Sequence, residues 1–248
     1  MNFNGKHIVV TGASAGIGLV SARMLAARGA RVSLIARRQD VLDEAVAELG
    51  ANAAGFAADV GEKAQLEAAI DAAAAHFGPV EALFANAGLT GGFTPFTAFD
   101  PDVFEQTIRV NLTSVFWAAQ KVLPAMIAAQ KGTILITGSM ASKRGMAMNP
   151  AYVASKHGVL GLSRAIAVEM APHNIRCNCI IPGFILTEAL DRIPEEQKGR
   201  IAARVPQRRM GTCEELAEVA AFLLSDAASH VTGQDWSVDG GTLETLEL

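Results

Sequence analysis

Thr11-Gly12-Ala13-Ser14-Ala15-Gly16-Ile17-Gly18 joins the apolar run His7–Thr11 to a helical pattern that starts near Gly16. Glycine tolerates positive φ and lets a ligand approach the backbone closely. The helix behind it offers unpaired amides and the positive end of its dipole, so the loop is suited to a pyrophosphate. The spacing is G-x-x-x-G-x-G, which departs from the literal G-x-G-x-x-G dinucleotide fingerprint. Position carries the reading: the loop follows the first strand and opens the first helix. Gly12, Ser14, Gly16, Ile17 and Gly18 are therefore the expected contacts of a nucleotide's phosphates.

Outward from that loop, short apolar runs alternate with longer helical patterns. The expected strands are His7–Thr11, Arg31–Ala36, Ala53–Ala58, Ala82–Ala85, Thr133–Gly138, Arg176–Ile181 and Asp235–Val238. Helical patterns lie near Gly16–Arg28, Asp40–Leu49, Glu62–Phe77, Pro101–Ala129, Pro150–Met170 and Cys213–Leu224. Strict alternation predicts an α/β fold with a Rossmann-like, doubly wound, seven-stranded parallel sheet. Strand cores such as Ile8-Val9-Val10 and Thr133-Ile134-Leu135-Ile136 are continuous, as strands covered on both faces require. No repeat or linker divides the chain, so residues 1–248 are expected to form a single nucleotide-binding and catalytic domain. In such a sheet the ligand lies outside the carboxyl ends of the strands.

Composition narrows the function classes. Half of the chain is apolar, and 25 acidic against 21 basic residues leave a net charge of −4. That balance is too mild to point to nucleic acid or to an anionic membrane. No uninterrupted apolar run reaches about 18 residues. Met1–Lys6 leads directly into a strand without signal-peptide architecture, so a cytoplasmic location is expected. Cys177, Cys179 and Cys213 are too few for a disulfide framework. Cys177 and Cys179 share one strand face without further ligands at metal spacing, and they read as small packing residues.

The second strand ends in Ala36-Arg37-Arg38. An acid at this tip would suit the adenosine ribose hydroxyls of NAD, whereas arginine accommodates a 2′-phosphate. Arg37 and Arg38 therefore favour NADP(H) over NAD(H), although a solvated charge pair at a loop start has the same appearance. Asp59 follows the third strand and could accept from an adenine amino group or be an ordinary turn acid. Asn86-Ala87-Gly88 ends the fourth strand at the same rim.

The chemistry-bearing residues cluster farther on. Ser139 ends the fifth strand. Asn149-Pro150 reads as a cap followed by proline in a first helical turn. Tyr152, the one tyrosine of the chain, and Lys156 then lie one turn apart on the same helix face. A phenol is a poor base at neutral pH, and a neighbouring lysine cation favours the phenolate. Ser139 can hold a carbonyl or hydroxyl oxygen against that phenol while hydride passes to the adjacent carbon. Asn111, a polar residue in an apolar helical stretch, also has the plain reading of a buried, satisfied amide.

Taken together, these motifs resemble the short-chain dehydrogenase/reductases, in the single-domain branch of about 250 residues. The resemblance runs from Lys6 to Gly241 through Gly12–Gly18, Asp59-Val60, Asn86-Ala87-Gly88, Asn111, Ser139, Tyr152-x-x-x-Lys156, Pro182-Gly183 and Val238-Asp239-Gly240-Gly241. Ala85 departs from the Asn-Asn-Ala-Gly often seen in the family. The resemblance implies Tyr152 as general acid/base, with Lys156 binding the nicotinamide ribose and Ser139 positioning the reacting oxygen. It implies that Asn111 holds a water in a relay from Lys156, and that Asp59 and Val60 meet adenine. Pro182, Gly183, Ile185 and Thr187 would fix the nicotinamide carboxamide. A small-molecule ketone or secondary alcohol is the implied substrate, and a homotetramer the implied assembly.

Three other functions bear comparison. A nucleotide-sensing binding protein would be expected to lose Tyr152 or Lys156. An epimerase or dehydratase of the longer branch would carry an additional C-terminal substrate domain. Reduction of oxoacyl thioesters on acyl carrier protein is the runner-up, although the segments 90–96 and 142–150 do not look like that subgroup. Phe93, Met146, Met148, Phe184 and Leu190 could line an apolar substrate pocket or serve as packing. The stretch 185–210, with Pro194-Glu195-Glu196 and a basic run from Arg200 to Arg209, is long for a connection and is expected to form a lid of short helices.

Overall fold

Ile8 and Val10 are buried on one side of the central sheet and Val9 on the other, which is why the strand cores lack polar alternation. The computed structural model describes residues 1–191 and 193–245. Residue 192, inside the expected lid, and residues 246–248 lie outside the described residues.

The first half runs β1 (His7–Thr11), α1 (Gly16–Ala27), β2 (Arg31–Ala36), α2 (Gln39–Leu49), β3 (Ala53–Ala57), α3 (Lys63–Phe77) and β4 (Ala82–Ala85). Then come α4 (Pro101–Ile108), α5 (Ser114–Ala129), β5 (Gly132–Thr137), α6 (Pro150–Met170) and β6 (Ile175–Pro182). The remainder is β7 (Ile185–Leu186), α7 (Glu188–Asp191), α8 (Glu195–Arg204), β8 (Gly211–Thr212), α9 (Cys213–Leu224) and β9 (Asp235–Val238).

The main sheet has the order β3-β2-β1-β4-β5-β6-β9, and its neighbouring strands pair in parallel. One apolar layer joins Ile8, Leu34, Phe84 and Leu135 to α1 and α9. The opposite layer joins Val9, Leu83, Ile134 and Cys177 to α3, α5 and α6. This is the expected single α/β unit with a seven-stranded doubly wound sheet. The chain leaves β1 for β2 and β3 on one side, then returns to β4 on the other. That reversal opens a crevice at the strand tips between β1 and β4.

Three departures from the expected elements have local causes. Helix Pro101–Ala129 is not uniform: residues Arg109–Thr113 form a π-turn between α4 and α5. Such single-turn bulges are common at functional sites and leave no mark in hydrophobic periodicity. This 29-residue stretch is long and apolar enough to cross a membrane by length and composition. Here it covers a sheet face, burying Ala118, Val122 and Met126. Second, β7 and β8 pair as a separate two-stranded sheet, Ile185 with Gly211 and Leu186 with Thr212. Two-residue strands are too short to leave a pattern. Third, they tie together the two ends of the expected lid, whose middle holds α7 and α8.

Candidate active site

A cavity of about 1150 Å³ opens at the carboxyl ends of the strands. Gly12, Ser14 and Ile17 line it where β1 passes into α1. Gly12 has φ +68°, and a Cβ there would lie 2.8 Å from Ala87 Cα, so no larger residue fits between the two strand ends. A Cβ on Gly18 would strike the Gly12 carbonyl oxygen. Gly16 and Gly18 do not line the cavity themselves; they let the loop fold tightly around it. Ala15, at the N-cap of α1, provides no side-chain cap, so the first-turn amides remain available to an anion. These are the features a nucleotide's pyrophosphate needs.

Ala36, Arg37, Asp59 and Val60 line the cavity at the tips of β2 and β3. Arg37 is exposed at the tip of β2, while Arg38 stands at the N-cap of α2 and does not line the cavity. The two arginines therefore differ in access: Arg37, which directly follows the strand tip, lines the cavity, and Arg38 does not. Asp59 Oδ1 accepts from Gly61 N at 2.8 Å, closing its turn and holding the carboxylate at the rim.

Asn86 joins three strand ends. Its N and Nδ2 donate to Thr11 Oγ1 and O at 3.1 and 3.2 Å, and its Oδ1 accepts from Thr137 Oγ1 at 3.1 Å. Its side chain thus stitches β1, β4 and β5 together beneath the ligand. Gly88 lies between Asn111 and Lys156, with ideal Cβ distances of 3.3 Å to Asn111 Oδ1 and 3.7 Å to Lys156 Nζ.

The residues expected to carry the chemistry converge on the same cavity. Asn149 caps α6, its Oδ1 accepting from Tyr152 N at 3.1 Å, and Pro150 begins the helix. Asn149 Nδ2 also donates to Thr90 O at 2.6 Å, so the start of α6 is locked to the loop after β4. Tyr152 is half-buried, and its hydroxyl has no protein partner among the described residues. Lys156 is buried, with Nζ donating to Thr137 O at 2.8 Å and lying 5.7 Å from the Tyr152 ring centroid. An ammonium has three donors, so two remain for a ligand or water. Ser139 caps the short turn Met140–Ser142: its Oγ accepts from Ala141 N at 3.2 Å, and its own proton is left to donate.

Asn111 lies in the π-turn and is buried. Its amide accepts from Leu89 N at 2.8 Å and donates to Leu89 O at 2.9 Å and Ser155 Oγ at 3.0 Å. It is a satisfied buried amide that does not line the cavity itself and meets its wall through Gly88.

Pro182 ends β6, and Gly183 follows with N donating to Val238 O at 2.9 Å. A Cβ on Gly183 would come 2.5 Å from Asp239 Cα. Ile185 and Thr187 continue the wall, and Thr187 Cγ2 lies 3.5 Å from where a Cβ on Gly16 would be. The base of the lid thus leans over the glycine loop. Phe93, Met146, Phe184 and Leu190 line the far part, but Met148 does not. With φ +65°, Met148 turns away, and its carbonyl accepts from Thr94 N at 2.8 Å.

A family model described as Enoyl-(Acyl carrier protein) reductase matches residues 12–242. The 3-oxoacyl-acyl-carrier-protein reductase FabG of Escherichia coli (strain K12) is 37% identical over 241 residues, covering 97% of this chain and 98% of that protein. The chain belongs to the short-chain dehydrogenase/reductase family. Cyclohexanol dehydrogenase of Acinetobacter sp. (strain SE19) is 39% identical over 242 residues, 96% of this chain and 95% of its own. The crystal structure of levodione reductase superposes with a TM-score of 0.94 at 33% identity, covering 99% of this chain and all of that one. This short-chain dehydrogenase/reductase is accordingly related to oxidoreductases along its whole length.

Sequence reading missed several residues that build the site. Thr11 and Thr137 supply the acceptors that fix Asn86 and Lys156, and Ser155 links Asn111 to the Tyr152 carbonyl at 2.8 Å. Each adjoins a recognised motif, which is the signal that could have found it. Arg144, Arg204, Leu243 and Thr245 also line the cavity and adjoin no motif. The cysteines remain structural: burial raises the Cys177 thiol strongly and pushes Cys179 up to about 12, so neither is a thiolate near neutral pH.

Proposed function

We propose that this short-chain dehydrogenase/reductase interconverts a ketone and a secondary alcohol with NADP(H), using Tyr152 as general acid/base. The observation that carries this reading is the buried Lys156, fixed on Thr137 O beside the Tyr152 ring in a cavity that also reaches Arg37. A buried ammonium without a carboxylate partner is costly unless hydrogen bonds satisfy it. Here Thr137 O takes one donor, and the other two are offered to the ribose.

The cofactor supplies or accepts the hydride. Gly12, Ser14, Ile17 and the amides of the α1 N-terminus would hold its pyrophosphate. Asp59, Val60, Asn86 and Gly88 would border the adenine and ribose, and Pro182, Gly183, Ile185 and Thr187 would hold the carboxamide. Arg37 would receive the 2′-phosphate, with Arg38 second because it stands off the cavity. Ser139 Oγ donates to the substrate oxygen and holds it at the phenol. Tyr152 delivers a proton to that oxygen in reduction and removes it in oxidation, and Lys156 with Asn111 connects the phenol to solvent. NADPH oxidation against ketones, sugars and acyl thioesters, with NADH in parallel, tests this. Measured NADPH binding with no turnover of any carbonyl would favour the nucleotide-sensing reading.

The second reading, reduction of an oxoacyl thioester, is favoured by the likeness to FabG across the whole chain. The same panel separates the two by kcat/KM. The reading extends to a cytoplasmic homotetramer. Its support is the exposed Phe104 and Phe116 on α4 and α5, beside a groove lined by Ile108 and Trp117. Light scattering at micromolar concentration should return four chains, and a monomer mass rejects it. Residues 185–210 act as a lid: cofactor and substrate together should slow proteolysis there, and equal cleavage with and without them counts against it.

A further inference from the structure

Four cations line the cavity, Arg37, Arg144, Lys156 and Arg204, against a single acid among the described residues, Asp59. Arg37 and Asp59 belong to the adenosine end, and Lys156 is anchored on Thr137. The other two stand at the opposite end and have no part in the chemistry assigned above. Arg144 comes from the loop between β5 and α6, and Arg204 from the last turn of α8. Arg144, and the residues that follow Arg204, reach the turn after β9. Arg144 Nη2 donates to Leu243 O at 2.7 Å. Val205 and Pro206, next to Arg204, pack on Gly240 and Gly241, where added Cβ atoms would lie 2.6 Å from Val205 Cγ1 and 3.4 Å from Pro206 Cγ.

The neighbours of Arg204 sharpen the contrast. Arg200 is paired with Glu196 at 2.7 Å, Arg209 with Glu215 at 2.6 Å, and Arg208 donates to Ala203 O at 2.6 Å. Arg204 alone of these has no protein acceptor among the described residues. The same cavity also has apolar lining from Phe93, Met146, Phe184, Leu190 and Leu243. Guanidinium groups bind carboxylates in a planar, often bidentate manner and stay charged at any working pH.

We propose that the carbonyl substrate carries a carboxylate, which Arg204 receives, with Arg144 assisting, at the end of the cavity away from the nucleotide. This rests on the ketone-reductase reading and specifies its substrate class: oxo acids and their hydroxy-acid counterparts. Both arginines are exposed at the mouth, so the expected discrimination is at the lower end of charge-assisted hydrogen bonding, about tenfold.

The test uses two matched pairs, levulinate against methyl levulinate and phenylglyoxylate against its methyl ester. Binding to the enzyme–NADPH complex is followed by nicotinamide fluorescence, and turnover by NADPH oxidation. In at least one pair the acid should bind about tenfold more tightly than the ester. Arg204→Met should bring the acid-to-ester ratio close to one, Arg144→Met should reduce it less, and Arg204→Glu should invert it. High salt should lower it in the wild type. A ratio near one in both pairs, failure of every probe to bind, or a ratio indifferent to Arg204→Met and Arg204→Glu overturns the proposal. Reduction of the esters with a binding ratio of one would sink the carboxylate and leave the ketone-reductase reading standing. Preferential binding of acids that are never reduced would do the reverse.

Discussion

At the nucleotide end the cavity walls are strand tips and an uncapped helix start, whereas at the far end they are side chains from the β5–α6 loop, α8 and the turn after β9. The first end is made of backbone. Gly12 and Gly18 leave no room for side chains, and Asn86 holds β1, β4 and β5 in register beneath the ligand. The second end consists of side chains on separate segments: Phe93, Arg144, Met146, Leu190 and Arg204. A backbone cradle suits the phosphates of a cofactor common to every substrate, and replaceable side chains recognise what distinguishes one substrate from another. Tyr152 and Lys156 stand at the border, anchored to the rigid half through Asn149 and Thr137.

The most severe test of that division is at the border. Tyr152→Phe removes one hydroxyl and should lower kcat by about 10²–10⁴-fold while NADPH binding persists. Retention of more than about a tenth of the activity would mean another group moves the proton. Lys156→Met should damage both cofactor affinity and rate, because its ammonium has two roles.

Next comes Arg37, the side chain proposed to receive the nucleotide's 2′-phosphate. Ala36→Asp with Arg37→Ala should shift the ratio of kcat/KM for NADPH over NADH by about 10- to 150-fold toward NADH. The new carboxylate repels a 2′-phosphate and accepts from the free ribose hydroxyls. A wild-type ratio at or below one would leave Arg37 and Arg38 as surface charge.

A smaller effect is expected from the support beneath the cradle. Asn86→Ala leaves Thr11 O and Thr137 Oγ1 without their partner and should cost about 1–3 kcal/mol, read as a lower Tm. It should also weaken NADPH binding more than substrate binding. Equal loss of both would mean that the two ends are not separately supported.

The mildest prediction concerns pH and is confined to the rigid half. His7 is buried on β1, with Nδ1 2.8 Å from Gly78 O and Nε2 2.9 Å from Ser33 Oγ. Burial draws its imidazole below the ordinary value near 6.5, and the Gly78 carbonyl opposes this. The folded chain therefore binds fewer protons than the unfolded chain in mild acid. The stability His7 contributes is complete above about pH 6.5 and is lost as pH falls through its lower folded value. Tm should fall over that window, and His7→Gln should flatten the slope. An unchanged slope would assign the acid sensitivity elsewhere.

The order of strands and helices, the glycine loop, the cap Asn149-Pro150 and the Tyr152–Lys156 pair were all legible in the chain. Each is expressed by residues within one or two helical turns of each other, or by periodicity along one element. Element ends were less legible: β6 starts at Ile175 and ends at Pro182, each a residue beyond the expected strand. Other features needed the tertiary structure. The π-turn at Arg109–Thr113 buries Asn111 against Leu89 and Ser155, partners 22 and 44 positions away. The pairing of β7 with β8 rests on two residues per strand. Arg144 and Arg204 line one cavity although 60 positions separate their numbers. Such juxtapositions depend on how helices settle on the sheet. Packing at long range sets that geometry, and no local pattern encodes it.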